Sequence, residues 1–140
     1  MKKAILSIDA PKPAPFFSQA VLTSCKYRVE LSGQIGLNPE SFELVEGGVG
    51  AQTERAFKNI EAVLAELGWT LENVVKTNVY LVSMDGYKEM NDVYATKFGD
   101  VPPARAAVAV KELPLGASVE IECVAAGDEI SAEAKEKYGL

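Results

Sequence analysis

Arg105 and Glu120 are the two side chains of this sequence best suited to chemistry. Arg105 follows Pro102-Pro103-Ala104 and opens the small, branched run Ala106-Ala107-Val108-Ala109-Val110; Glu120 and Glu122 alternate with Val119, Ile121 and Cys123. The prolines stop whatever precedes them, so both runs are predicted as strands, adjacent to one another across the turn Leu113-Pro114-Leu115-Gly116. A period of two puts Arg105 on one face with Ala107 and Ala109, which leave room above it for a ligand, and projects Glu120 and Glu122 together. A guanidinium can clamp a carboxylate with two parallel hydrogen bonds, and a carboxylate can hold a water and move its proton. On neighbouring strands the two groups are expected to meet. Residue type alone leaves a plainer alternative open, with Arg105 a solvated or ion-paired surface group and the two glutamates the wet face of a half-buried strand.

Composition narrows the chemistry further. The 140 residues are 48% hydrophobic and 24% charged, the balance of one ordinary globular domain. A formal charge of −6 works against sequence-independent nucleic-acid binding, which needs clustered Lys and Arg. The chain has no histidine, which excludes Ser-His-Asp and Cys-His catalysis and HExxH metal sites. Cys25 and Cys123 stand in strand-like runs without CxxC spacing and are expected as buried, reduced thiols. The apolar run after Met1-Lys2-Lys3 is too short for a signal-peptide core and no window reaches spanning length; a cytoplasmic protein with no membrane partner is expected.

The elements that must position these groups follow from periodicity. Ala4 to Ser7 is a short strand candidate, followed by a proline-fixed connector, Ala10 to Pro15, that ends on Phe16-Phe17. Those two rings either anchor the connector to the core or wall a pocket. Gln19–Ser24 and Lys26–Ser32 are predicted as strands joined by a hairpin at Ser24-Cys25-Lys26, and Ser32-Gly33-Gln34-Ile35-Gly36 reads either as a bulge or turn or as a place of close backbone approach. Apolar residues at spacings of three and four predict a helix from Ala51 to Leu67 stopped by Gly68, and a second from Ser83–Gly86 to about Phe98. Val74 to Val82 is β-branched enough for a central strand, and a short surface helix is expected after Asp128. The order implies one α+β domain, residues 1–127, with both helices on one face of a mixed sheet, and a tail, residues 128–140. The other face of so apolar a sheet is expected to be covered by another subunit.

Across Pro15 to Ala126 the sequence resembles the RidA family, also called the YjgF family, of reactive-imine deaminases. The resemblance is carried in order by Ser18-Gln19-Ala20-Val21, Ser32-Gly33-Gln34-Ile35, Ala51-Gln52-Thr53, Val74-Val75-Lys76-Thr77, Asn91-Asp92-Val93-Tyr94, Pro102-Pro103-Ala104-Arg105, Leu113-Pro114 and Val119-Glu120-Ile121-Glu122. It implies a chorismate-mutase-like fold, a homotrimer whose sheets line an inner barrel, and sites at the subunit interfaces. It also implies that Arg105 holds a substrate carboxylate, that Glu120 holds and polarises the attacking water, and that Phe17, Ser32, Gly33 and Asn91 border the pocket. Two departures stand out: a tyrosine is common in the family at Phe17, and Ala106 and Ala107 replace residues that carry a hydroxyl or thiol.

The activity so implied is hydrolysis of 2-imino and enamine acids to 2-keto acids and ammonia, with no metal and no cofactor. The alternative is a non-catalytic module that binds 2-keto acids or other small carboxylates. The family's association with ribonuclease activity fits an acidic chain without histidine poorly.

Overall fold

A computed structural model describes all residues, 1–140, as six strands and three helices. The strands are β1 (Lys2–Ile5), β2 (Ala20–Thr23), β3 (Tyr27–Ile35), β4 (Val74–Leu81), β5 (Ala104–Ala109) and β6 (Val119–Gly127); the helices are α1 (Gly48–Ala65), α2 (Tyr87–Tyr94) and α3 (Ala132–Tyr138). A four-stranded mixed sheet runs in the order β3-β6-β4-β5, and β1 pairs with β2 in a separate antiparallel ribbon. Only the β4–β5 pairing in the large sheet is parallel, as a crossover through α2 requires.

The α+β class, the mixed sheet and the central position of β4 agree with the sequence reading. Three of its expectations about strand order, connection and helix bounds do not hold. β5 and β6 are not neighbours, because β4 lies between them. Ser24-Cys25-Lys26 is not a hairpin turn: β2 pairs with β1, whereas β3 pairs antiparallel with β6, so the chain changes sheets there. The helix ends also differ: α1 begins earlier, at Gly48 rather than Ala51, and stops at Ala65 rather than Leu67, and α2 stops at Tyr94 rather than Phe98.

The core lies between the large sheet and α1 with α2. Val79 and Leu81 of β4, Val119, Ile121 and Cys123 of β6, and Phe57, Ile60 and Leu64 of α1 are all buried there. Tyr94, fully buried, stacks edge-on with Phe57 at 5.7 Å and lies 5.0 Å from Phe98, which joins α2 to α1. Gly68 takes φ +74°, the left-handed conformation that ends α1 without a Cβ penalty. The tail is packed rather than loosely attached: Trp69 Nε1 donates to the Glu129 carbonyl at 2.6 Å, Ser131 caps α3 by accepting from Ala134 N at 3.1 Å, and Ile130 and Ala134 are buried.

The opposite face of the sheet is more polar than expected. Lys76, Asn78 and Tyr80 of β4 and Glu120 and Glu122 of β6 occupy it, all partly exposed, because each alternates with a core residue on its strand. Cys25 is also a correction: it is half-exposed, and only Cys123 is a core thiol. No helix is long and apolar enough to cross a membrane.

Candidate functional site

The predicted site residues assemble into two clusters on opposite faces of the large sheet. Arg105 is the register partner of Thr77, a buried residue of the helix-facing side, and it points at α2. Glu120 is the partner of Tyr80, which alternates with Val79 and Leu81 and so faces away from the helices. Arg105 and Glu120 therefore do not meet within one chain, for two reasons: β4 separates their strands, and their side chains leave the sheet in opposite directions.

The first cluster is built on Arg105. Its Nη1 donates to Asn91 Oδ1 at 2.6 Å and its Nη2 to Tyr87 Oη at 3.1 Å. Tyr87 and Asn91 are four apart on α2 and hence share a face, while Met90 and Tyr94 anchor the helix in the core. The rings of Phe16 and Phe17 both lie 5.1 Å from the guanidinium carbon, Tyr87 at 5.7 Å and Tyr94 at 4.7 Å. Their π faces attract the cation without neutralising it. None of the chain's ion pairs involves Arg105. Of its five N–H donors, Nε–H and one on Nη2 have no acceptor in the chain, which leaves hydrogen bonds for an incoming anion. Arg105 is thus neither ion-paired nor fully solvated.

The connector before β2 brings the phenylalanines to this place. Ser18 N donates to Pro103 O at 3.0 Å and its hydroxyl to Pro102 O at 2.6 Å, which ties residues 16–18 to the start of β5. Gln19 folds the rest of the connector back by accepting from Ser7 N at 2.7 Å and donating to Pro11 O at 2.8 Å. The two readings of Phe16-Phe17 are both realised: Phe16 packs on the core, and both rings wall the arginine.

The second cluster is built on Glu120. The β3–β6 register steps from Leu31 opposite Cys123 to Gln34 opposite Ile121, so Ser32 and Gly33 together face a single residue and form a β-bulge. Gly33 is pressed against Glu120 so closely that a Cβ there would collide with its carboxylate. A Cβ on Gly36 would come within 2.7 Å of the Gln52 backbone, so this glycine lets β3 pass α1 at close range. Gln52 in turn accepts from Ser118 N at 2.8 Å and holds the start of β6. Glu122 differs from Glu120. It accepts from Tyr80 Oη at 2.7 Å and Asn78 Nδ2 at 2.8 Å, and these bonds, the tyrosine's first, hold its carboxyl below the usual range. Glu120 has no such donors.

The site residues expected from the sequence as one pocket thus divide, with Phe17, Asn91 and Arg105 in one cluster and Ser32, Gly33 and Glu120 in the other, while Tyr87 and Tyr94 beside the guanidinium are not among them. The tyrosines lie at helical spacing, which marks core positions and ligand walls alike. An apolar hollow of about 490 Å³ between Val29 of β3, the end of α1 and Tyr138 and Leu140 of the tail belongs to neither cluster.

A family model described as Endoribonuclease L-PSP matches residues 7–127. The chain belongs to this family, the RidA family. The 2-iminobutanoate/2-iminopropanoate deaminase of Rattus norvegicus is 40% identical over 125 residues, covering 89% of this chain and 90% of that protein. Protein DfrA of Myxococcus xanthus is 43% identical over 124 residues, covering 89% and 95%. Among solved structures, RidA from an Antarctic Psychrobacter superposes with a TM-score of 0.68 at 40% identity, over 89% of this chain and 98% of that one. The RidA match takes in both clusters and stops at the end of β6, ahead of α3.

Proposed function

We propose that the protein is a cofactor-independent deaminase that hydrolyses 2-imino acids to 2-keto acids and ammonia, in a homotrimer whose sites each join the Arg105 cluster of one chain to the Glu120 cluster of the next. The observation that carries this reading is an arginine with unspent donors, walled by aromatic rings and free of any carboxylate. Such a group suits the carboxylate of a small substrate, which it can hold by two parallel hydrogen bonds. The deaminase name of similar mammalian proteins supports the reaction class. The opposite facing of the two clusters supports an intersubunit site, since a second chain is the simplest way to bring a carboxylate opposite the guanidinium.

The chemistry asks little of the protein beyond placement. Arg105 anchors the substrate carboxylate, which sets the imine carbon relative to a water on Glu120. With the imine reacting as its protonated iminium form, Glu120 takes a proton from that water as the C–O bond forms and returns it to the nitrogen, giving a carbinolamine protonated on its amine. The C–N bond then breaks, ammonia leaves, the hydroxyl gives up its proton, and the carbonyl of the keto acid forms. Ala107, beside Arg105 on the same strand face, leaves space for a short aliphatic chain.

The test couples an amino-acid oxidase or dehydratase to the purified protein and follows the decay of the released imine. Wild type is expected to accelerate the decay; Arg105→Lys should weaken both 2-keto-acid binding and turnover, and Glu120→Gln should lower turnover with binding kept. Keto-acid binding without any acceleration would favour a second reading, a non-catalytic carboxylate-binding module. The absence of a hydroxyl on Phe17 and of any hydrogen bond that orients Glu120 are the features on its side.

A further inference from the structure

Four rings surround Arg105, and two of them carry hydroxyls. That of Tyr94 is spent in the core, 2.7 Å from Thr77 Oγ1, and cannot address a ligand. Phe17, at the same 5.1 Å from the guanidinium carbon as Phe16, has no hydroxyl to offer. Only the phenol of Tyr87 remains at the partly exposed rim, and it accepts from Arg105 Nη2 at 3.1 Å. Its own proton has no acceptor in the chain. The acceptor of such a proton would be a group already close to Nη2, and an anion on the arginine meets that description.

We infer that Tyr87 is the positioning and affinity residue of the site, its phenol holding the guanidinium plane and donating its proton to the carboxylate bound there. This rests on the reading of Arg105 as a carboxylate clamp. It makes the anion site three-pronged, with two donors from the arginine and one from the tyrosine, and it confers on position 87 a hydrogen-bonding role that Phe17 cannot play. The ligand class that profits is the compact planar carboxylate, whose oxygens both lie within reach of the Nη2 side of the guanidinium. The bond to Tyr87 is complete before substrate arrives and does not touch the imine, so its loss should appear in binding rather than in the chemical step.

Calorimetry with pyruvate on wild type, Tyr87→Phe, and Tyr87→Phe combined with Phe17→Tyr reads this directly, alongside kcat and KM for imine decay. Tyr87→Phe should weaken pyruvate binding about tenfold and raise KM alike, with kcat within about twofold, because one hydrogen bond to a charged group is removed and the ring is kept. Phe17→Tyr in that background should recover most of the affinity, since both rings lie against the same guanidinium. Unchanged pyruvate binding in Tyr87→Phe overturns the inference, and so does a loss that Phe17→Tyr leaves unrepaired, which would point to packing of residue 87 rather than to a phenol. If the unmutated protein binds no carboxylate, the clamp itself fails and Tyr87 with it. Pyruvate binding without turnover removes only the deaminase reading, and the Tyr87 comparison is then decided by calorimetry alone.

Discussion

The hydroxyls of Thr77 and Tyr94 lie 2.7 Å apart in the core, behind the Arg105 guanidinium. Thr77 is the register partner of Arg105 on β4, and Tyr94 is the last residue of α2, so this one hydrogen bond ties the strand beside the arginine to the helix that supplies Tyr87 and Asn91. Both residues are fully buried. Thr77→Val leaves the Tyr94 hydroxyl without a partner and should cost about 1–3 kcal/mol of unfolding free energy in urea titration. Adding Tyr94→Phe should recover part of that loss, because two apolar groups need no partner; a double variant less stable than either single one would refute the pairing.

Alkali should unfold the protein through the same region. Burial pushes the Tyr94 phenol from 10.0 up to about 12 and the Cys123 thiol from 9.0 up to about 12. Both favour the proton in the folded state, so the stability they lend is whole below pH 9, erodes from there as Cys123 and then Tyr94 would ionise in the unfolded chain, and is lost as pH rises through 12. Melting temperatures measured from pH 8 to 11 should fall for wild type. Tyr94→Phe should flatten the part of the decline above pH 10.

The two cysteines should react in a fixed order. Cys25 is half-exposed beside the first strand, and Cys123 is buried with a raised thiol pKa, which disfavours the reactive thiolate. One fast equivalent of thiol reagent at neutral pH, absent in Cys25→Ser, is expected, with Cys123 labelled only on unfolding. Two fast equivalents would show that the Cys123 side of β6 opens.

Gly33 should matter for turnover more than for stability. A methyl group there would displace the Glu120 carboxylate, and a shift of about 1 Å in a catalytic group can cost about a hundredfold in rate. Gly33→Ala should therefore lower kcat strongly while pyruvate still binds Arg105. Equal kcat in the variant would remove Glu120 from the chemistry.

Mixing tests the intersubunit site. Arg105→Ala and Glu120→Ala chains, each inactive alone, should regain activity when unfolded and refolded together. With random assembly about a quarter of the interfaces carry both intact groups, so about a quarter of wild-type activity is the expected ceiling. No recovery, in oligomers of three times the 15.0 kDa chain mass, would place both groups in one chain's site after all.

Much of this molecule was legible in the residues themselves, because much of it is local. The alternation of Val119, Ile121 and Cys123 with Glu120 and Glu122 fixes which side of their own strand each one takes, since successive side chains leave a strand in opposite directions. The spacing of Phe57, Ile60 and Leu64 likewise sets the buried side of α1. What no local pattern contains is the order of strands and the phase of one strand against the next. Those are settled by pairings between residues far apart in the chain: β4 inserts between β5 and β6, and the register of Thr77 with Arg105 and of Tyr80 with Glu120 sends the arginine to the helices and the glutamate away from them. For the same reason the convergence of four rings on Arg105 came only with the tertiary structure. Phe16 and Phe17 arrive there because Ser18 hydrogen-bonds to Pro102 and Pro103, partners that sequence distance hides and only a folded chain brings within 3.0 Å.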